Sequence, residues 1–135
     1  MGKRKVVLDT NILVSALGWK GKPHRIMEKV ANNELELFIS NKQFSELSRV
    51  LNYPKFDFSE EQKSRFKELI LKTATFVKPA IKLNVVKDDP DDNMFLECAM
   101  IADADCIISG DDHLLSIRKF GSIRILTAND FLNAP

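Results

Sequence analysis

The chain alternates short, mainly apolar runs with longer stretches whose apolar residues recur every three or four positions. The short runs are Val6-Val7-Leu8, Leu35–Ile39, Thr75-Phe76-Val77, Cys106-Ile107-Ile108 and Ile123–Leu126. A brief continuous apolar run rich in β-branched residues predicts a strand buried on both faces, as in a parallel sheet. Between the runs lie helical patterns. Ile12-Leu13-Val14 with Ala16-Leu17 opens a helix that Gly18, Gly21 and Pro23 break. After a basic loop, Trp19 to Arg25, a helix runs from about Pro23 to Asn32 with Ile26, Met27, Val30 and Ala31 on one face. Ser40 or Asn41 caps a helix carrying Phe44, Leu47, Val50 and Leu51, which Tyr53-Pro54 ends. Ser59 with Glu60-Glu61-Gln62 starts another that reaches about Ala74. Met94–Ala102 predicts a buried helix, Leu114-Leu115 a short one, and Thr127 to Asp130 caps a last one holding Phe131-Leu132. Strands alternating with helices imply a parallel α/β sheet of about five strands with right-handed crossovers.

The acids give this pattern its chemical interest. Val6-Val7-Leu8 runs straight into Asp9-Thr10-Asn11, and Cys106-Ile107-Ile108 into Ser109-Gly110-Asp111. In open α/β sheets, ligands bind outside the carboxyl ends of the strands. Asp, Thr and Asn are also ordinary turn and capping residues, which taken alone explains Asp9 equally well. The segment Asp88-Asp89-Pro90-Asp91-Asp92-Asn93 holds four carboxylates within five positions. Asp89 fits an N-cap and Pro90 a first helical position. The macrodipole accounts for one or two acids there, but not for the whole cluster. Asp92 begins a helix that follows a crossover, and Glu46 lies early on the helix after Leu35–Ile39. Asp9, Glu46, Asp92 and Asp111 are therefore expected to converge on one edge of the sheet. Asp91 and Asp112 are expected to be solvated or capping acids, Glu97 a surface position and His24 an exposed loop residue.

Convergent carboxylates repel. Two unit charges about 4 Å apart cost about 4 kcal/mol at an effective dielectric of about 20, so such a site takes up protons or holds a cation. An all-oxygen donor set without zinc-type His/Cys spacing suits Mg2+ or Mn2+, and such ions serve phosphoryl chemistry. The five glycines are scattered and form no phosphate loop, which argues against a nucleotide triphosphatase and leaves a metal-dependent nuclease or phosphatase. A haloacid-dehalogenase-type phosphatase needs a second Asp two residues after the first, where Asn11 stands. Composition adds bounds. The 135 residues suit one domain, residues 1–135. With Lys+Arg 20 against Asp+Glu 19, the balance does not by itself announce a nucleic-acid binder. Cys98 and Cys106 sit in apolar surroundings and read as core thiols in a reducing, cytoplasmic setting. No apolar run approaches the ~20 residues of a membrane span. Lys20, Lys22, Arg25 and Lys87 are candidates for a phosphate-contacting rim, and Trp19 for stacking on a base or packing on a partner.

In order and spacing these motifs resemble PIN-domain proteins, close to the branch of toxins in toxin–antitoxin systems. The likeness rests on Val7–Leu13, Ser45-Glu46-Leu47, Asp89–Asn93 with Leu96–Ala99, Ile108–Asp111 before Leu114-Leu115, and Ile125-Leu126-Thr127 with Phe131-Leu132. The resemblance implies a three-layer α/β/α fold with a central, mostly parallel sheet. It makes Asp9, Glu46, Asp92 and Asp111 an acidic quartet for Mg2+ or Mn2+, with Thr10, Asn11 and Ser109 in support. It implies metal-assisted hydrolysis of RNA, with Glu46 ligating or orienting the attacking water. It also implies a homodimer and an antitoxin protein as partner. A catalytically silent PIN-like module that binds RNA or a partner is the alternative. Many relatives place another acid two residues after the fourth; here that residue is His113, which stays outside the core set.

Overall fold

The computed structural model describes residues 2–133. The strands are β1 (Arg4–Leu8), β2 (Leu35–Ser40), β3 (Thr75–Val77), β4 (Cys106–Ile108), β5 (Lys119–Phe120) and β6 (Ile123–Leu126). They form one sheet in the order β3-β2-β1-β4-β6-β5. The five expected strands all pair in parallel. The sixth, β5, is a two-residue edge antiparallel to β6. Two residues are too few to leave a periodic signature, so the sequence pattern stops at five.

The helices are α1 (Thr10–Gly18), α2 (Lys22–Ala31), α3 (Asn41–Leu51), α4 (Glu60–Thr73), α5 (Asn93–Ala102), α6 (Asp112–Leu115) and α7 (Ala128–Asn133). Successive strand residues point to opposite faces, and two cores result. Val6, Leu8, Leu37, Ile39, Cys106 and Ile108 pack with α1 to α4 and α7; Val7, Phe38, Ile107 and Ile125 pack with α5 and α6. The three-layer α/β/α arrangement follows directly, since runs apolar on every residue need cover on both sides. His24 is not in a loop. It lies in the first turn of α2, half-buried, with Nδ1 3.0 Å from the Ala16 carbonyl.

Chain order around the sheet reverses between β1 and β4: β2 and β3 lie to one side of β1, and β4 and β6 to the other. A reversal of this kind leaves a crevice at the strands' carboxyl ends. It is closed tightly at its base. The amide of Asp9 donates to Ile108 O (3.1 Å) and that of Ser109 to Leu126 O (2.9 Å), extending the ladder one residue past each strand.

One wall of the crevice is α3. Ser40 and Gln43 form a reciprocal capping box at its start, which fixes where its second turn lies. Leu47, fully buried, anchors that turn in the core beside Glu46. Leu47→Ala should cost about 2–5 kcal/mol, read as a lower chemical-denaturation midpoint at unaltered slope.

Candidate active site

Asp9 directly follows β1 and caps α1. Its Oδ1 accepts from the Ile12 amide at 2.8 Å. Its Oδ2 accepts the Ser109 hydroxyl and, at 3.3 Å, the Gly110 amide. Ser109 Oγ in turn accepts from the Asp111 amide at 2.9 Å. Ser109 therefore clamps the first acid to the loop that carries the fourth. Asp111 caps α6, with Oδ1 accepting from the His113 amide at 2.8 Å and 3.6 Å from His113 Nδ1. On the α3 wall, Thr10 donates to Glu46 Oε2 at 2.7 Å, and Arg49 Nη2 lies 3.5 Å from Glu46 Oε1.

Asp92 completes the cleft. It ends a 3-10 turn, Pro90–Asp92, just before α5. Asp89 stands before that turn, but its side chain makes no capping bond. A 3-10 turn stacks residue i over i+3, which turns Asp89 and Asp92 to the same side. All four expected acids, Asp9, Glu46, Asp92 and Asp111, line one cavity of about 210 Å³ together with Asp89 and Asp91. One ligand atom each from Asp89, Asp92, Asp111 and His113 falls within 4.8 Å of the others. Asp9 and Glu46 lie beside that tight group, their oxygens engaged as above. Of the supporting residues, Thr10 and Ser109 are buried and hydrogen-bonded to acids, while Asn11 is exposed on the cleft wall.

The electrostatics favour a bound cation. Asp92 is only 7 % exposed, and its Oδ2 has no hydrogen-bond partner. Burial, then the adjacent Asp111 carboxylate, then Asp89 and Asp9 push its carboxyl up to about 8. Burial also raises Asp9 above the ordinary range, while bonds from Ser109, Ile12 and Gly110 pull it part of the way back. An unpartnered buried carboxylate oxygen is costly. Facing two further carboxylates, it is satisfied by a proton or by a hard cation that takes oxygen ligands. The donor set present fits Mg2+ or Mn2+, with His113 as an added nitrogen.

Several expectations change. None of Lys20, Lys22, Arg25 and Lys87 lines the cleft; Arg49 is the basic residue on its wall, next to Tyr53. Glu97 does not reach the acids. Half-buried, it accepts the Leu83 amide at 2.7 Å and pins the irregular segment that leads into α5. Asp91 and Asp112 are exposed, as expected. Asn93 has a role the sequence pattern hides. Its Oδ1 accepts from the Val85 and Val86 amides, and its Nδ2 donates to the Val86 and Pro90 carbonyls, all at 2.9–3.0 Å. It is 4 % exposed and ties the loop carrying Asp89 and Asp92 to α5. Asn93→Ala leaves buried backbone groups unpaired at about 1–3 kcal/mol each. Faster amide exchange across residues 83–92 is the expected result.

The fold and the site define a class: a parallel α/β protein with a carboxylate cleft at its switch point. A family model described as PIN domain matches residues 5–113, and the chain belongs to the PIN-domain family. It is similar to an uncharacterized protein of Methanocaldococcus jannaschii, 29 % identical over 120 residues that cover 86 % of this chain and 76 % of the relative. Its fold resembles a chain in the crystal structure of VapBC2 from Rickettsia felis bound to a DNA fragment from their promoter. That match has a TM-score of 0.62 and 15 % identity, and covers 90 % of this chain and 96 % of the other. No helix among the described residues is long and apolar enough to cross a membrane.

Proposed function

We propose that this chain is a Mg2+- or Mn2+-dependent endoribonuclease and the toxin half of a toxin–antitoxin pair. The observation that carries the reading is the buried, unpartnered Asp92 Oδ2 facing Asp89 and Asp111 at the switch point. Membership of a family whose domains are generally nucleases supports the reaction class. The fold likeness to the VapBC2 chain and the motif pattern support the toxin assignment, with an antitoxin protein as inhibitor; the homodimer rests on the family resemblance alone.

Asp9, Asp92 and Asp111 would hold the ion, with Asp89 and His113 beside Asp92 and Asp111. When bound, the ion would neutralise charge on the scissile phosphate and lower the pKa of an attacking water. Ser109 keeps Asp9 and the Asp111 loop in register. Glu46, held by Thr10, is placed to orient the attacking water and accept its proton. The Arg49 guanidinium is placed to contact a phosphate oxygen. In-line attack leaves a 5′-phosphate and a 3′-hydroxyl.

The test is cleavage of end-labelled single-stranded RNA by purified protein. Fragments ending in 3′-hydroxyls with Mn2+, and none in EDTA, are expected. Cleavage that persists in EDTA, or no cleavage with either metal, contradicts the reading.

A further inference from the structure

Beyond the acidic cleft lies a row of aromatic rings that the chemistry above does not use. Tyr53 begins it. This residue lines the cleft and precedes the 3-10 turn Pro54–Phe56 that follows α3. Its ring is 4° from parallel with that of Phe56, their centroids 6.5 Å apart. Trp19 then meets Phe56 edge-on, at 6.5 Å and 74°. The row thus leads from the wall of the cleft to the surface at the end of α1.

Part of the row has a packing role. Phe58 stacks on Phe56 at 5.6 Å and rests on Gly18, where an added Cβ would come within 3.2 Å of the ring. Packing does not explain the exposed Trp19 end, and at the other end the Tyr53 hydroxyl accepts a hydrogen bond from Arg49 Nη1. Trp19 is 59 % exposed, more than any other large apolar residue described. Tyr53 is half-buried at the cleft mouth, with the Arg49 guanidinium 5.7 Å from its ring centre.

The charges along the row have one prevailing sign. Residues 19–25 carry Lys20, Lys22 and Arg25 and no acid, and residues 53–58 carry Lys55 against Asp57. Lys55 Nζ sits 5.1 Å over the Phe56 ring. Aromatic faces interleaved with lysine and arginine suit single-stranded nucleic acid: the rings stack on bases and the cations follow the phosphates. An acidic cleft that accommodates a phosphodiester only around a cation needs attraction from elsewhere to hold the flanking strand.

Resting on the ribonuclease reading, we propose that Tyr53 and Trp19 are positioning residues that stack bases of single-stranded RNA flanking the bond held in the acidic cleft. The row sets how the strand approaches the acids. It acts on strand binding, and the acids perform the bond cleavage.

Trp19 is the sole tryptophan, so its emission reports on this surface alone. The experiment titrates wild-type protein with a short fluorescein-labelled single-stranded adenosine oligoribonucleotide in Ca2+, following label anisotropy and tryptophan emission together. The Mn2+-dependent cleavage kinetics of Trp19→Ala, Trp19→Phe, Tyr53→Leu and Tyr53→Phe are measured alongside. Emission should be quenched in step with the anisotropy rise. Trp19→Ala and Tyr53→Leu should each raise KM by roughly tenfold with a much smaller effect on kcat, and the two phenylalanine variants should restore most of the loss. Equal Mn2+-binding heats in the variants and wild type certify the fold of the cleft.

Cleaved RNA with unchanged emission and unchanged KM overturns this inference and leaves the ribonuclease reading standing. Failure of wild type to bind or cleave any RNA overturns both. Emission that shifts with protein concentration alone, with a doubling of mass by sedimentation, assigns the row to contact with a second copy and overturns the stacking role.

Discussion

Asp92→Asn and Asp9→Asn are each expected to lower metal-dependent RNA cleavage by about three orders of magnitude. A cation acting on developing phosphate charge supplies several kcal/mol, and about 4 kcal/mol corresponds to roughly a thousandfold in rate. The two substitutions act differently. At Asp92, the amide removes the charge of the buried carboxylate whose Oδ2 has no other partner. At Asp9, Oδ1 and Oδ2 already accept from Ile12, Ser109 and Gly110. An Asn there also forces an NH2 group against one of those donors, so the Ser109 clamp loosens together with the charge. Asp9→Asn should therefore lower both activity and stability, whereas Asp92→Asn should lower activity alone. Initial rates under single-turnover conditions, paired with urea denaturation of each variant, separate the two.

The second large effect is on stability against pH in metal-free protein. In the fold Asp92 holds its proton up to about pH 8, against an ordinary value of 3.8. The folded state then binds more protons than the unfolded state between these values, so stability falls as pH rises through that window. The penalty is absent below about pH 4 and complete above about pH 8. Each tenfold change in proton affinity is worth about 1.4 kcal/mol, and one kcal/mol moves the melting temperature of a domain this size by roughly 4 °C. Wild type should therefore lose several degrees relative to Asp92→Asn between pH 5 and pH 8. Mn2+ should return more of that loss at pH 8, where the proton competes least in this range, and much less of it at pH 5. Melting curves of the two proteins that run parallel across this range would remove Asp92 as the source.

Much of this arrangement was legible in the sequence, for definite reasons. Parallel strands buried on both faces leave uninterrupted apolar runs, and Val6–Leu8 and Cys106–Ile108 are such runs. The acid that follows each of them falls on the ligand edge by geometry alone. Other features lay out of reach because they depend on packing. Lys119-Phe120 becomes a strand only because β6 lies beside it. Asp89 fits an N-cap by local pattern, yet a 3-10 turn instead aligns it with Asp92. His113 joins the acids through the short α6, whose start Asp111 fixes by accepting the His113 amide. Arg49 on α3 and Tyr53 just after it reach the cleft mouth because α3 packs against α1, which no local pattern encodes. The hydrogen bonds of Asn93 have no sequence signature, since their partners lie in an irregular segment.

The central claim is that these acids form one cation site, and calorimetry with Mn2+ on metal-free protein tests it most directly. Wild type should bind with a measurable heat that rises in affinity from pH 6 to pH 8 as Asp92 gives up its proton. The double variant Asp9→Asn/Asp92→Asn, shown to be folded, should give no binding heat. Equal heats from both proteins, or none from wild type at pH 8, would contradict a converged metal centre in this cleft.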